Sequence, residues 1–453
     1  MRIVLLSGGS GKRLWPLSNE IRSKVFLKLL RSDTGVMESM LQRMCRELDR
    51  AGLLASSCIV THASQVDITV SHVGEGIPVL GEPQKRGTFT AVALAASYFY
   101  SVLGASPQET VVVLPADAYA APSFFQLLQS FPDVLRDGAA EIALIGSVPR
   151  FPSEEFGYIV PQTGSPGEGY YHVDRFVEKP DSATARTLIA QQALWNCGVF
   201  ACSLSFLLNS LSERGIPLAY DQLLKSYDGL PQESFDREVL EHSRHTVVIP
   251  YSGNWSDLGS WDSLSAHLEH QVTGKGSVSP DAHQTYLVNE LSLPVHVIGL
   301  TGAIVAASPD GILVADKNRA NEIKTALGSS YSVPRYEETR WGTSVILDDG
   351  SSEDGPVTIT RKLQIHPGKH TEYHLHHRIS EVWTVIEGTG KYRLDGAEHA
   401  LSTGDIVQVP AGAGHAIKAV TSLILIQIET GGRPEEADYV SLARSWNSGA
   451  EQS

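Results

Sequence analysis

Through the first half of the chain, short apolar runs alternate with amphipathic stretches. Residues 3–6 and 110–114 are apolar and β-branched and predict buried strands, with 58–61 a shorter third. Residues 38–48 and 89–103 carry apolar positions at helical spacing, and 259–270 reads as the closing helix of this unit. Strands alternating with helices predict an α/β fold with a mixed, mainly parallel sheet, whose ligands gather at the carboxyl ends of the strands. From about residue 273 the texture changes to short β pieces broken by Gly and Pro, closed by a helix over 318–327 and a linker over 328–340. Beyond Trp341 the pattern is all β, with strands over 358–365, 381–386, 390–394, 405–409 and 423–429. That spacing predicts a small barrel or jelly roll. No internal repeat of solenoid period is visible. The organisation expected is residues 1–268, a β-rich connecting piece over 269–330, and a C-terminal β domain over 335–453.

With 453 residues, the chain is long enough for two or three domains, and 42% hydrophobic with 19% charged residues is a globular composition. The net charge of −15 argues against a nucleic-acid partner, which needs a basic face. The longest apolar stretch, 291–315, is broken by Pro294, Gly299, Gly302 and Pro309, so no membrane span is expected and a cytoplasmic protein is the default. The cysteines at 45, 58, 197 and 202 form no C-x-x-C pair, which points away from a zinc ribbon or a redox motif.

The first strand runs into Leu6-Ser7-Gly8-Gly9-Ser10-Gly11-Lys12-Arg13-Leu14-Trp15-Pro16-Leu17. Glycines after a strand let backbone N–H groups approach phosphate oxygens, and Lys12, Arg13 and Lys24 add positive charge. The spacing is not that of a P-loop, because Lys12 is followed by Arg13, nor of a dinucleotide fingerprint, whose third Gly is Leu14 here. A second chemical cluster lies near the C-terminus. His374 and His376 are two apart on an expected strand and share a face, Glu381 follows, and His415 ends Gly404-Asp405-Ile406-Val407-Gln408-Val409-Pro410-Ala411-Gly412-Ala413-Gly414-His415. Three imidazoles and a carboxylate suit a divalent first-row metal such as Zn, Fe, Mn or Co. His370 and His377 are expected to point away from it.

The glycine run resembles the signature of the sugar-phosphate nucleotidylyltransferases, and with Trp15 the long bacterial mannose-1-phosphate guanylyltransferases. Further segments match in order: Glu82-Pro83-Gln84-Lys85-Arg86-Gly87-Thr88, Leu114-Pro115-Ala116-Asp117, Phe156-Gly157-Tyr158, Phe176-Val177-Glu178-Lys179-Pro180, Trp195-Asn196-Cys197-Gly198 and Asn254-Trp255-Ser256-Asp257. Gly87 stands where the family has Asn. The resemblance implies a Rossmann-like domain that transfers a nucleotidyl group from GTP to mannose 1-phosphate, releasing pyrophosphate. By it, Leu6, Gly8, Gly9, Gly11, Lys12, Glu82, Arg86 and Thr88 would meet the nucleotide. Gly157, Glu178 and Asn196 would meet the sugar, and Arg13, Lys24 and Lys179 the phosphates. Asp117 and Asp257 would hold Mg²⁺, a hard cation suited to carboxylate and phosphate oxygens.

The histidine cluster resembles both motifs of the cupin superfamily, a double-stranded β-helix, and a cupin in this position is similar to type II mannose-6-phosphate isomerases. Those have Gln where His374 stands, and Ser441 replaces their C-terminal arginine. The resemblance therefore admits two readings: a bifunctional enzyme that also acts on mannose 6-phosphate, or a transferase for this or another sugar 1-phosphate and NTP whose cupin is structural or serves a different sugar. A third, a non-catalytic sugar-nucleotide sensor, is opposed by Asp117, Asp257, Arg13 and Lys179. A homodimer is open, with 273–327 readable either as a surface for it or as a spacer. The base of an isomerase is not legible in the sequence.

Overall fold

The computed structural model describes residues 1–9, 12–162, 169–243, 245–327, 334–350, 356–432, 438–443 and 446. Contacts divide the chain into two compact units. One comprises 1–14, 23–270 and 317–323; the other comprises 15–22, 271–316 and 324–453.

The first unit is built on a nine-stranded mixed sheet. Its parallel part places Arg2–Leu6 between Ser57–His62 and Thr110–Pro115, with Val79–Glu82 outside. The long strand Leu194–Ser203 then runs antiparallel to both Thr110–Pro115 and Ile142–Ser147, so the sheet changes direction beside the strand that leads to Asp117. Helix Thr88–Ser101 is buried over most of its length against this sheet, as its Ala-rich sequence allows. Helix Met40–Arg50 starts two residues later than its hydrophobic pattern suggests. Ser39 caps it through a reciprocal bond pair with Gln42, and Met37–Glu38 is a short strand instead. The helix expected over 259–270 shrinks to Trp261–Ser265, capped by Ser260, after which the chain continues in turns. The stretch expected as one helix over 318–327 is a 3₁₀ turn, Lys317–Glu322, followed by Ile323–Ala326.

In the second unit, strands Val272–Gly274, Tyr286–Asn289 and Ala303–Ser308 stack in parallel, as do Gly276–Val278 and Val295–Val297. These are successive coils of a short β-solenoid around Leu287, Val297 and Val305, against the absence of a repeat in the sequence. The coils are few and unequal in length, so their stacking leaves no period. The segment 15–22 is packed into this unit. Arg22 is buried and makes a two-pronged ion pair with Glu290 at 2.7 and 2.9 Å. Asn19 donates to Asp310 at 2.8 Å, and the Ser308 hydroxyl donates to the Pro16 carbonyl at 2.6 Å. Gly311 leaves room for Trp15, whose ring lies 2.5 Å from where a Cβ would be.

The remainder of the unit is a two-sheet β domain. One six-stranded sheet contains Val357–Ile365, Leu423–Gly431 and Ile379–Glu387 as neighbours; the five-stranded sheet contains Thr389–Leu394, His415–Ala419 and Tyr373–His376. Trp383, Ile365, Leu423 and Leu425 fill the space between them. The parts of the linker over 328–333 and of the C-terminal segment over 433–437 lie outside the described residues.

Candidate functional site

A cavity of about 310 Å³ opens at the carboxyl ends of the parallel strands of the first unit. Of the residues expected there, Leu6, Gly8, Gly9, Glu82, Thr88, Asp117 and Asn196 line it. Gly11 and the side chain of Lys12 lie outside the described residues.

Asp117 follows the strand Thr110–Pro115, and the chain then forms Ala118–Ala120. This short strand pairs antiparallel with Trp255–Asp257, aligning Asp257 with Ala118. Pairing two three-residue strands therefore brings together carboxylates that are far apart in sequence. The Lys24 ammonium joins them, in contact with Asp117 and 3.6 Å from Asp257. Burial pulls the Lys24 pKa down, but the two carboxylates outweigh this and leave it above the ordinary lysine value. Asp257 is pushed up, first by burial and then by Asp117. Its Oδ1 is buried without a hydrogen-bond partner. A buried, under-satisfied oxygen beside a second carboxylate is a donor set that fits a divalent oxygen-seeking cation. Arg13 lies within electrostatic reach of Lys24 and Asp257, and 3.5 Å from Glu155.

Glu82 is buried at the opposite wall. Tyr227 donates to its Oε1 at 2.6 Å, while its Oε2 faces Gly8. Burial raises the Glu82 pKa to about 7, and the Tyr227 hydrogen bond opposes the shift. Arg86 is turned elsewhere: its guanidinium donates to the carbonyls of Leu230 and Asp228 and braces that loop. Thr88 accepts from the Phe235 N–H through its hydroxyl. Gly87 adopts φ +89° with extended ψ, and a Cβ there would lie 2.3 Å from the Glu233 carbonyl oxygen. A side chain at this position would therefore be strained both by the backbone conformation and by that contact. Gly87→Ala is expected to lower stability by about 1–3 kcal/mol, visible as a drop in the thermal midpoint. An unchanged midpoint would contradict the contact.

Around the far end of the cavity, the Asn196 amide donates to Asp236 at 3.1 Å and its carbonyl accepts from the Gly198 N–H. Glu178 and Lys179 form an ion pair at 2.5 Å, and both act electrostatically on Asp236. Gly157 fits against the Phe176 ring and the Glu178 carboxylate, with no room for a side chain. Asp236 and Tyr227 are not anticipated by the sequence. They lie in a stretch of very short helices and turns with no periodic signal, and only their burial in three dimensions marks them.

A second site lies between the two sheets of the β domain. His374, His376, Glu381 and His415 each offer an atom within 4.8 Å of the others. His374 and His415 face each other across paired strands, and Glu381 comes from the opposite sheet. Nδ1 of His374 bonds the Glu372 carbonyl and Nδ1 of His415 the Ala413 carbonyl, which fixes the tautomers and turns each Nε2 inward. Trp383 donates to Glu381 Oε2 at 2.7 Å, leaving Oε1 aimed at His376 and His415, 3.4 and 3.5 Å away. Glu381 Oε1 and His415 Nε2 are buried without hydrogen-bond partners, which suits them as metal ligands. The His374 pKa falls to about 4 through burial and then through His415, whereas Glu381 overcomes burial to hold His415 above its ordinary value. His370 lies by Trp446 and His377 is exposed, so neither joins the group.

Two further side chains share this interior face. Glu429 stands opposite Glu381 in the strand register, and Arg361 opposite Gln427. The Arg361 Nε donates to Glu429 at 3.0 Å, and Gln427 donates to the same oxygen at 3.3 Å. Burial raises the Glu429 pKa, and Arg361 opposes it. In sequence both residues look like ordinary polar positions on strands.

The glycine turn, the paired acids and the α/β sheet define a nucleotidyltransferase, and the chain belongs to the nucleotidyl transferase family, whose model matches residues 2–272. A cupin domain model matches residues 361–428. The chain is 28% identical to the mannose-1-phosphate guanylyltransferase of Escherichia coli K12, covering 97% of each protein. It is 29% identical to the alginate biosynthesis protein AlgA of Pseudomonas aeruginosa, covering 97% of this chain and 95% of that one. Among solved structures, a Thermus thermophilus protein described as a mannose-1-phosphate geranyltransferase superposes with a TM-score of 0.61 at 28% identity, covering 73% of this chain and 99% of that one. Among the described residues, no helix is long and apolar enough to cross a membrane.

Proposed function

We propose that the first unit joins GTP to mannose 1-phosphate, giving GDP-mannose and pyrophosphate. The observation that carries this reading is the meeting of Asp117 and Asp257 around Lys24, with Asp117 lining the same cavity as Gly8 and Gly9. The sugar phosphate oxygen attacks the α-phosphorus, the bond to the β-phosphate oxygen breaks, and pyrophosphate leaves. Mg²⁺, when bound by the two carboxylates, offsets charge on the triphosphate and the entering phosphate. Gly8 and Gly9 present backbone to the phosphates, Lys24 and Arg13 add cations, and Lys179 meets the sugar phosphate. Asn196, Asp236 and Glu178 form a polar wall suited to sugar hydroxyls. The test is a matrix of NTPs against sugar 1-phosphates with Mg²⁺, read as pyrophosphate. Release from no pair would sink the reading; release from a different pair would reassign the substrate.

Glu82 supports a guanine base. An ionised carboxylate accepts from two donors, and the N1–H and N2–H₂ edge of guanine supplies a matched pair. Its raised pKa makes the acceptor pH-dependent. As pH falls through about 7, Glu82 takes up a proton and loses acceptor capacity, so KM for GTP is expected to rise. Measured KM should climb severalfold from about pH 8 to about pH 6, and the climb should flatten in Glu82→Gln. A level wild-type profile would remove Glu82 from base recognition.

For the cupin we infer mannose-6-phosphate to fructose-6-phosphate isomerisation, with a metal on His374, His376, Glu381 and His415. The Arg361–Glu429 pair on the same face favours this over a structural role, because it supplies a carboxylate that is not a ligand and a cation near it. A bound metal would polarise the sugar carbonyl oxygen. Glu429 takes the proton from C2 and returns it to C1 while the hydroxyl proton passes from O2 to O1, and Arg361 holds Glu429 in place.

A further inference from the structure

Lys24 stands where a cation is needed. Its Nζ lies against Asp117 and 3.6 Å from Asp257 Oδ1, the buried oxygen that has no hydrogen-bond partner. Only 16% of the Lys24 side chain is exposed, so bulk solvent does little to screen the trio. The two carboxylates and one ammonium carry a net charge of −1. A divalent cation arriving at the same oxygens would have to share a few ångströms with the ammonium, and like charges at that range repel strongly in a half-buried site. Lys24 and the metal therefore compete for one place. The backbone around Lys24 is fixed, because Val25 and Phe26, the residues that follow it in its 3₁₀ turn, are both buried in the core. The flexible side chain is the part free to move. Gly8 and Gly9 line the same cavity as Asp117, so a triphosphate resting on that turn would bring anionic oxygens to a place the ammonium can reach.

We propose that Lys24 is the resident counterion of the Asp117–Asp257 pair in the nucleotide-free protein. It leaves that place to Mg²⁺ only when triphosphate oxygens offer it another anion, so that metal and nucleotide enter together. The inference rests on the reading of the two aspartates as the metal pair. It makes Lys24 a device that keeps the empty site from holding a metal by itself, in addition to any contact it makes with phosphate.

The test is Mn²⁺ binding, followed by electron paramagnetic resonance, on the full chain with its cupin site filled beforehand by Zn²⁺. Without nucleotide, Lys24→Met is expected to bind one Mn²⁺ at least ~10-fold more tightly than the wild type, because the pair is left with no counterion. The gain should vanish in Lys24→Met/Asp257→Asn, and the wild type should tighten on Mn²⁺ once a non-hydrolysable GTP analogue is added. Lys24→Gln provides the same comparison if the methionine variant does not fold. Nucleotide-free Mn²⁺ affinity equal to or weaker than the wild type's in both variants would overturn the proposal. In that event, a wild-type site that appears with the analogue and disappears in Asp257→Asn leaves the metal pair standing and sinks the Lys24 role alone. If the analogue gives no Asp257-dependent site, the reading of the aspartates as the metal pair falls with it.

Discussion

Asp117→Asn is expected to lower pyrophosphate release by ~10³-fold or more while the protein stays folded. The side chain is near-isosteric and sits at the edge of a cavity, 21% exposed, so no core packing is lost. What is lost is a charge. The substitution removes the charge of the carboxylate closest to Lys24 and leaves Asp257 as the other one beside it. In the working state it removes half of the carboxylate pair that would anchor the metal. Approach of one phosphate to another is opposed by their negative charges, and a tenfold rate change corresponds to about 1.4 kcal/mol. Loss of a metal anchor worth ~4 kcal/mol in the transition state therefore gives the expected thousandfold. Steady-state release measured at saturating GTP, with circular dichroism as the folding control, decides it. Turnover within a few fold of the wild type would remove Asp117 from the chemistry.

The second large effect is expected in the cupin. Glu429→Gln should lower isomerisation of mannose 6-phosphate by ~10²–10⁴-fold, the usual worth of a positioned proton carrier, with metal content unchanged. Glutamine keeps the shape and can still accept from Arg361, but it cannot carry the proton. His376→Ala provides the contrast: there the metal itself should be lost, and activity with it. Metal analysis beside the coupled assay separates the two. A Glu429→Gln enzyme with full activity would transfer the proton step to another group, and a wild-type protein with metal but no isomerisation would return the cupin to a different sugar.

The parts of these sites that are legible in sequence are those whose chemistry is tied to local geometry. A strand ending in glycines announces an anion cradle, as residues 3–9 do. Two histidines at strand spacing announce a shared face, as His374 and His376 do. What cannot be read depends on register. Asp257 reaches Asp117 because a three-residue strand pairs at one alignment, and a slip of a single residue would turn its carboxylate away. Glu429 faces Glu381 for the same reason. Asp236 and Tyr227 come from short helices without periodicity, where composition says nothing about direction. The helix expected over 259–270 is too long because its apolar spacing continues past the point where the Trp261–Ser265 turn of helix ends.

The packing of residues 15–22 bears on how the chain can be divided. In sequence the first 268 residues look like a piece that could be cut out and studied alone. Arg22 and Asn19 bond Glu290, Asp310 and the Tyr336 carbonyl, so such a cut would remove the ion pair and the hydrogen bonds that tie this segment down. The affected segment lies between the glycine turn and Lys24, so a piece cut at residue 268 would lose the partners of the stretch that joins two parts of its own site.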